Sequence, residues 1–229
     1  MAAGIAPVSL TSNLLEGGVS PKEDHAVKWS AFSLYAGGTD TIVSAICSFF
    51  LAMTLFPDVQ KRAQAKIDAV VGPGRLPSFA DRDSLPYTEA LVKEVLRWNV
   101  VLPTGFPHCV AEDDIHDGYY IPKGPLVPPN IWFMLDDPRT YANPSQFNPE
   151  RFLAKDTRNL RRNLAQCASA LVDGLHLADA SIWISTVMSL AVFDISKVVE
   201  NGVELTPEVE HLSGTARYVA LVTSGTSLY

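Results

Sequence analysis

Basic residues are in short supply here. Lys and Arg number 18 against 25 Asp and Glu, a formal net charge of −7, and no basic stripe is visible. Phosphate backbones need clustered cations, so a nucleic-acid binder is excluded. Cysteine is sparse too: Cys47, Cys109 and Cys167 are odd in number, far apart and form no C-x-x-C. Neither a disulfide framework nor a zinc site is indicated, and a reducing compartment is the simpler expectation. The opening "MAAGIAPVSLTSNLLEGG" lacks a basic n-region and a long apolar h-region, so it does not read as a signal peptide. One long apolar run exists, "TIVSAICSFFLAMTLF" from Thr41 to Phe56. It is short for a span and Asp40 borders it, so a buried core helix is expected rather than a transmembrane one. Repeats and low-complexity segments are absent. What remains is a globular composition, 47% hydrophobic and 19% charged over 229 residues. That suffices for one core or a large part of a bigger domain.

Punctuation by Ser, Pro and Gly divides the chain. Ser20-Pro21-Lys22-Glu23 is a helix start, with Ser20 as cap, Pro21 at the first helical position and Glu23 closing a capping box. Nothing stops this helix before Phe56-Pro57, which predicts about 35 residues, or roughly 50 Å, running through the middle of a large domain. "PDVQKRAQAKIDAVVG" predicts a second helix with Val59, Ala63, Ile67 and Val70 as its apolar stripe and Gly72 as its end. "GPGRLPSFADRDS" reads as loop, and "LPYTEALVKEVLRWN" as a third helix opened by Pro86. "DDIHDGYYIPKGPLV" reads as a hairpin around Asp117-Gly118. "DDPRTYANPSQFNPERFL" is extended loop, Leu175 to Asp194 a last helix, and the end strand. The fold class expected is mostly α (α+β).

Three places could carry chemistry. In "AGGTDT", Gly37 and Gly38 fall in mid-helix, where each costs about 1 kcal/mol relative to alanine. They thin the helix so that a flat or small group can approach, and Asp40 and Thr41 follow as an acid beside an alcohol. A packing notch with a solvent-facing Asp explains the same residues. "KEVLR" puts Glu94 and Arg97 on one helix face, a spacing common in surface ion pairs. "NPERF" puts Glu150 and Arg151 in a loop.

The order of these pieces is more specific than any one of them. A long helix with AGG-x-DT, a helix with E-x-x-R, a hairpin ending in "IPKG", then "DPRTYANPSQFNPERF" and "GLHLADASIW" resembles the C-terminal half of a cytochrome P450, from about Leu14 to about Thr215, and its fungal members in particular. The resemblance implies a heme-thiolate monooxygenase, an oxidoreductase with heme b and its iron as cofactor, an NADPH-dependent reductase as electron donor and a small apolar substrate. It implies that Gly37 and Gly38 open a groove over the heme, and that Asp40 and Thr41 relay protons to iron-bound dioxygen. Glu94, Arg97 and Arg151 take the place of a structural triad that locks the helix to the heme-supporting loop. "LPTGFPHCV" resembles the strand lining the substrate pocket, with His108 reaching a heme propionate. The family's location is the endoplasmic reticulum membrane. The amino-terminal half with its anchor is expected to be missing from this fragment, which leaves the compartment open, the cytoplasm included. The segments expected are a lead-in (1–19), the central helix (20–56), helices, hairpin and P-E-R-F loop (57–152), a disrupted heme loop (153–174), then the last helix and a tail, "ARYVALVTSGTSLY", unlike the family's polar ending (175–229).

The disruption is specific. The family signature F-x-x-G-x-R-x-C-x-G leads directly into the last helix, and its cysteine thiolate is the axial iron ligand. With Gly174 as the final glycine, the cysteine position holds Val172, the arginine position Ala170, the first glycine position Ala168 and the phenylalanine position Ala165. Cys167 lies five positions ahead of Val172. That is more than a helical turn, and metal sites tolerate only small deviations, so an ordinary small buried residue is its alternative reading. Back-translation adds a clue. Read from the third base of Ala168, the degenerate codons of "ASALVDG" can spell Phe-Gly-x-Gly-Arg-Arg, the signature out of frame. Two non-enzymatic readings stand beside the monooxygenase lineage: a heme-free fragment, and a membrane-associated helical protein built on Thr41–Phe56.

Overall fold

The structure, a computed structural model, describes residues 9–15, 18–153, 175–212 and 218–222. The chain divides into two compact units, Met1–Asp40 and Thr41–Tyr229. Helix α1 (Leu10–Leu15) and the first part of α2 (Pro21–Leu55) form the first. Ser20 starts α2 as its sequence dictates. The Glu23 amide donates to Ser20 Oγ at 3.4 Å, and the Ser20 amide donates to the Glu23 carboxylate at 2.8 Å. Phe56 cannot extend the helix because Pro57 follows, and it takes φ −125 and ψ 66.

The expectation that α2 runs through the middle of a domain holds for its later part alone. Ser44, Ala45, Ser48, Phe49, Leu51, Ala52 and Met53 are buried, whereas no residue from Pro21 to Asp40 is. Upstream of Asp40 the sequence mixes aromatics with Lys22, Glu23, Asp24 and Lys28. The helix carries that mixture in solvent, with Trp29, Phe32 and Tyr35 exposed.

Helix α3 (Pro57–Val71) ends at Gly72, whose φ of 74 suits glycine. Its stripe differs from the one expected. Gln60, Ala63 and Ile67 are buried and Val71 packs on the core, while Val70 is exposed. A glutamine can take a core position here because the Ile195 backbone satisfies its amide. The stretch read as loop contains a 3-10 turn, Phe79–Ser84. The Ser78 amide and hydroxyl both donate to the Asp81 carboxylate, at 2.8 and 3.0 Å, which fixes its entry. Helix α4 (Pro86–Trp98) follows, then β1 (His108–Cys109), β2 (Asp114–His116), β3 (Tyr119–Ile121), β4 (Leu126–Val127) and α5 (Ile131–Leu135). Asp117 (φ 51) and Gly118 (φ 82) turn the β2–β3 hairpin with the two left-handed residues that its tight turn needs.

The extended loop closes in a second 3-10 turn, Pro149–Phe152. The last helix, α6 (Leu175–Val192), is a little shorter than expected, and β5 (Val198–Glu200), β6 (Val203–Leu205), β7 (Glu208–Leu212) and β8 (Tyr218–Val222) complete the described residues. Among the described residues every ladder is a two-stranded antiparallel pair: β1 with β4, β2 with β3, β5 with β6, β7 with β8. The class is therefore mostly α with small hairpins. In the second unit Phe49 and Met53 of α2, Ile67 of α3, Leu91 and Val95 of α4, and Trp183, Val187 and Leu190 of α6 share one core. A smaller cluster joins Ala90 and Val100 to Ile131, Leu135, Tyr141 and Phe152.

Candidate functional site

Amphipathic α4 turns Glu94 and Arg97 inward, with 0% and 2% of their surfaces exposed. Burying such groups is costly unless they are paired, and here every charge finds partners. Arg97 grips the Glu94 carboxylate with both prongs, Nε to Oε2 at 2.8 Å and Nη2 to Oε1 at 2.9 Å. Arg151, brought in by the second 3-10 turn, places its Nε 3.1 Å from Oε1. The Asn148 amide donates to the same oxygen at 2.8 Å.

Two guanidiniums thus face one carboxylate. Carbonyl dipoles of the intervening loop offset the surplus charge: Arg97 donates to Leu135 O (3.1 Å) and Pro144 O (2.8 Å), and Arg151 to Ala142 O (3.0 Å) and Gln146 O (2.9 Å). Arg97 also lies over the Tyr141 ring, 5.4 Å from its centre. Such a cluster holds a loop in one conformation; its donors face the protein's own backbone and not a ligand. Beside it Arg62 of α3 pairs with Glu150 and lies over the Tyr87 ring.

The structure does not bring all the sequence-selected residues together. Gly37, Gly38 and Asp40 belong to the first unit and Thr41 opens the second. Asp40 is exposed, Thr41 half-buried, and a Cβ built on Gly37 meets nothing within 4 Å. His108 is exposed on β1, opposite Val127. Cys167, Val172 and the rest of the 154–174 stretch lie outside the described residues. Among the described residues no group of three His, Cys, Asp or Glu side chains could hold a metal. Cys47 is half-buried, and burial pushes its thiol pKa up, away from thiolate character. Cys109 is exposed.

Sequence reasoning passed over three residues that tie α6 to its neighbours. Arg82, in the 3-10 turn read as loop, donates to Asp179 of α6 at 2.6 Å and to Glu89 of α4 at 2.8 Å. Gln60 and Gln64 of α3 bond the chain at the other end of α6. A glutamine in register with Ala63 and Ile67 was the available signal.

Known proteins agree with this architecture. The family model for cytochrome P450 matches residues 7–166. Cytochrome P450 monooxygenase 208 of Postia placenta (strain ATCC 44394 / Madison 698-R) is 53% identical over 219 residues, 94% of this chain and 43% of its own length. Tryptamine 4-monooxygenase of Psilocybe cyanescens is 40% identical over 185 residues, 78% of this chain and 36% of its own. A zebra fish cytochrome P450 solved with progesterone superposes with a TM-score of 0.77 at 27% identity, covering 93% of this chain and 49% of that one. The chain spans less than half the length of the curated relatives it matches. Family match, relatives and fold agree, and the chain belongs to the cytochrome P450 family.

Proposed function

We propose that this chain is the carboxyl-terminal scaffold of a fungal P450 monooxygenase lineage in a form that does not hold a heme thiolate and is catalytically silent as it stands. The lineage's reaction inserts one oxygen atom of dioxygen into an apolar substrate, with electrons from an NADPH-dependent reductase; heme supplies that chemistry when bound. The carrying observation is local. Val172 stands where the thiolate cysteine belongs, three positions ahead of α6. The family match stops at residue 166, just ahead of that stretch, while a relative aligns over 94% of the chain.

Among the described residues the two thiols do not fit a heme iron. The half-buried Cys47 has its thiol pKa raised by burial, and Cys109 is exposed. No proton-transfer step is therefore assigned to Asp40 or Thr41, and no propionate contact to His108. By family likeness those residues, with Gly37 and Gly38, are what the lineage uses around heme. Glu94, Arg97 and Arg151 keep a task that needs no heme, holding the 135–151 loop.

The family is generally membrane-associated. Helix α2 is long and apolar enough to cross a membrane by length and composition. Burial of its Ser44–Met53 side in the chain's own core supports reading it as a core helix instead.

The test is the reduced carbon monoxide difference spectrum of the purified, hemin-supplemented chain. Thiolate ligation gives a red-shifted Soret band, and the expected result is none. A clear band that disappears in Cys167→Ala would overturn the proposal and make Cys167 the ligand.

A further inference from the structure

We infer that helix α6 is seated by two side-chain clamps, one at each end, and that Arg82, Gln60 and Gln64 are positioning residues that hold the last helix. The inference deepens the scaffold reading and rests on it in one respect: the disruption is confined to the ligand-bearing stretch, and the seat of the helix that follows is intact.

The first clamp grips the start of α6. Asp179 and Trp183 are four residues apart and so share one helix face. Arg82 engages both. Its Nη2 donates to the Asp179 carboxylate at 2.6 Å, and its guanidinium lies over the Trp183 ring, 5.4 Å from the centre. Glu89 of α4 holds the guanidinium in place, accepting from Nε at 3.0 Å and Nη2 at 2.8 Å. The Trp183 ring is fully buried and stacks with Phe79, which the same 3-10 turn as Arg82 supplies.

The second clamp grips the end. The last carbonyls of a helix have no partner within it. Gln64 Nε2 donates to Leu190 O at 3.3 Å, to Phe193 O at 3.1 Å and to Asp194 Oδ1 at 3.0 Å. One turn earlier on α3, Gln60 treats Ile195 as a neighbouring strand would. It accepts from the Ile195 amide at 2.8 Å and donates to the Ile195 carbonyl at 2.8 Å.

A helix tied at both ends has one axis and one register. A slip by one residue rotates it by about 100°, which would take Asp179 from Arg82 and Trp183 from the core together. Leu175, one turn ahead of Asp179, is therefore placed by the first clamp.

Amide hydrogen exchange on the full chain tests this by NMR, in four variants. Gln60→Ala should expose the Ile195 amide. Gln64→Glu has the same size but cannot donate and faces Asp194; it should speed exchange at residues 190–195 by roughly tenfold. Gln64→Lys supplies three donors at a helix C-terminus and should keep exchange there near the unaltered rate. Arg82→Gln should speed exchange at 178–183 and spare 190–195. Gln64→Glu and Gln64→Lys behaving alike, or all amides moving together, would each overturn the inference. Should Arg82→Gln fail to fold, the Gln64 pair decides. None of these readouts needs heme, so they can fail while the heme reading stands, and the reverse.

Discussion

Glu94 and Arg151 stand 57 residues apart in sequence, and the Arg151 Nε lies 3.1 Å from one Glu94 oxygen and 3.0 Å from the other. A contact between α4 and the loop's far end thus passes through a single carboxylate. Glu94→Gln strands the buried Arg97 guanidinium and the half-buried one of Arg151 and should cost about 3–5 kcal/mol, read as a lower urea midpoint. Arg62→Ala breaks the exposed pair with Glu150 and should cost less than about 1 kcal/mol. Equal losses from the two variants would show that Glu94 is not the buried hub.

Acid should weaken the 3-10 turn at Asp81. Arg75 donates to its carboxylate at 2.8 Å, and with the Ser78 amide holds its pKa well below the ordinary carboxylate range. A lowered folded pKa stabilises above the unfolded value of about 3.9 and loses that contribution as pH falls through the folded value. Unfolding free energy followed from pH 5 downward should therefore keep dropping below pH 4, and Asp81→Asn should flatten that part of the curve. Glu89 adds to the same slope: burial pushes its pKa up, but bonds from Lys93 and Arg82 outweigh it and bring the pKa below its usual value. An unchanged curve in Asp81→Asn would refute the assignment.

Gly37→Ala should stabilise this chain. A Cβ there meets nothing within 4 Å, and alanine is favoured over glycine in a helix by about 1 kcal/mol. Slower exchange of the amides around residue 37 is the expected reading. Faster exchange would mean that something in the chain needs the glycine's open face.

The gene should show how the signature was lost. A relative aligns over 94% of the chain, and α6 forms directly after Gly174. A local frame change explains a sharp loss with sharp recovery, where drift would erode the flanks as well. Sequencing across codons 158–176 should find Phe-Gly-x-Gly-Arg-Arg encoded out of frame, with a Cys-Pro-Gly-type run just ahead of the Leu175 codon. Its absence would mean that substitution removed the motif and that the chain is an evolved heme-free relative.

Local chemistry was legible from residue order. Ser20, Pro21 and Pro57 bound α2, Asp117-Gly118 turned a hairpin and Gly72 stopped α3, because caps, prolines and left-handed residues act over a few neighbours. The resemblance carried by AGG-x-DT, E-x-x-R and P-E-R-F could likewise be read without a structure. Two features could not. The exposure of α2 before Asp40 depends on which elements surround it. The burial of Gln60 depends on Ile195, 135 residues away.

The sequence by itself determined the helices, the turns and the family, since each is a matter of residue type at fixed spacing. Tertiary structure alone decided that Glu94 faces two arginines, that Arg82 leaves a loop-like stretch to hold Asp179, and that Gln64 ends the last helix. Those contacts close over dozens of residues, and the pairing of a buried charge or a helix-end carbonyl is set by what folding brings within about 3 Å of it.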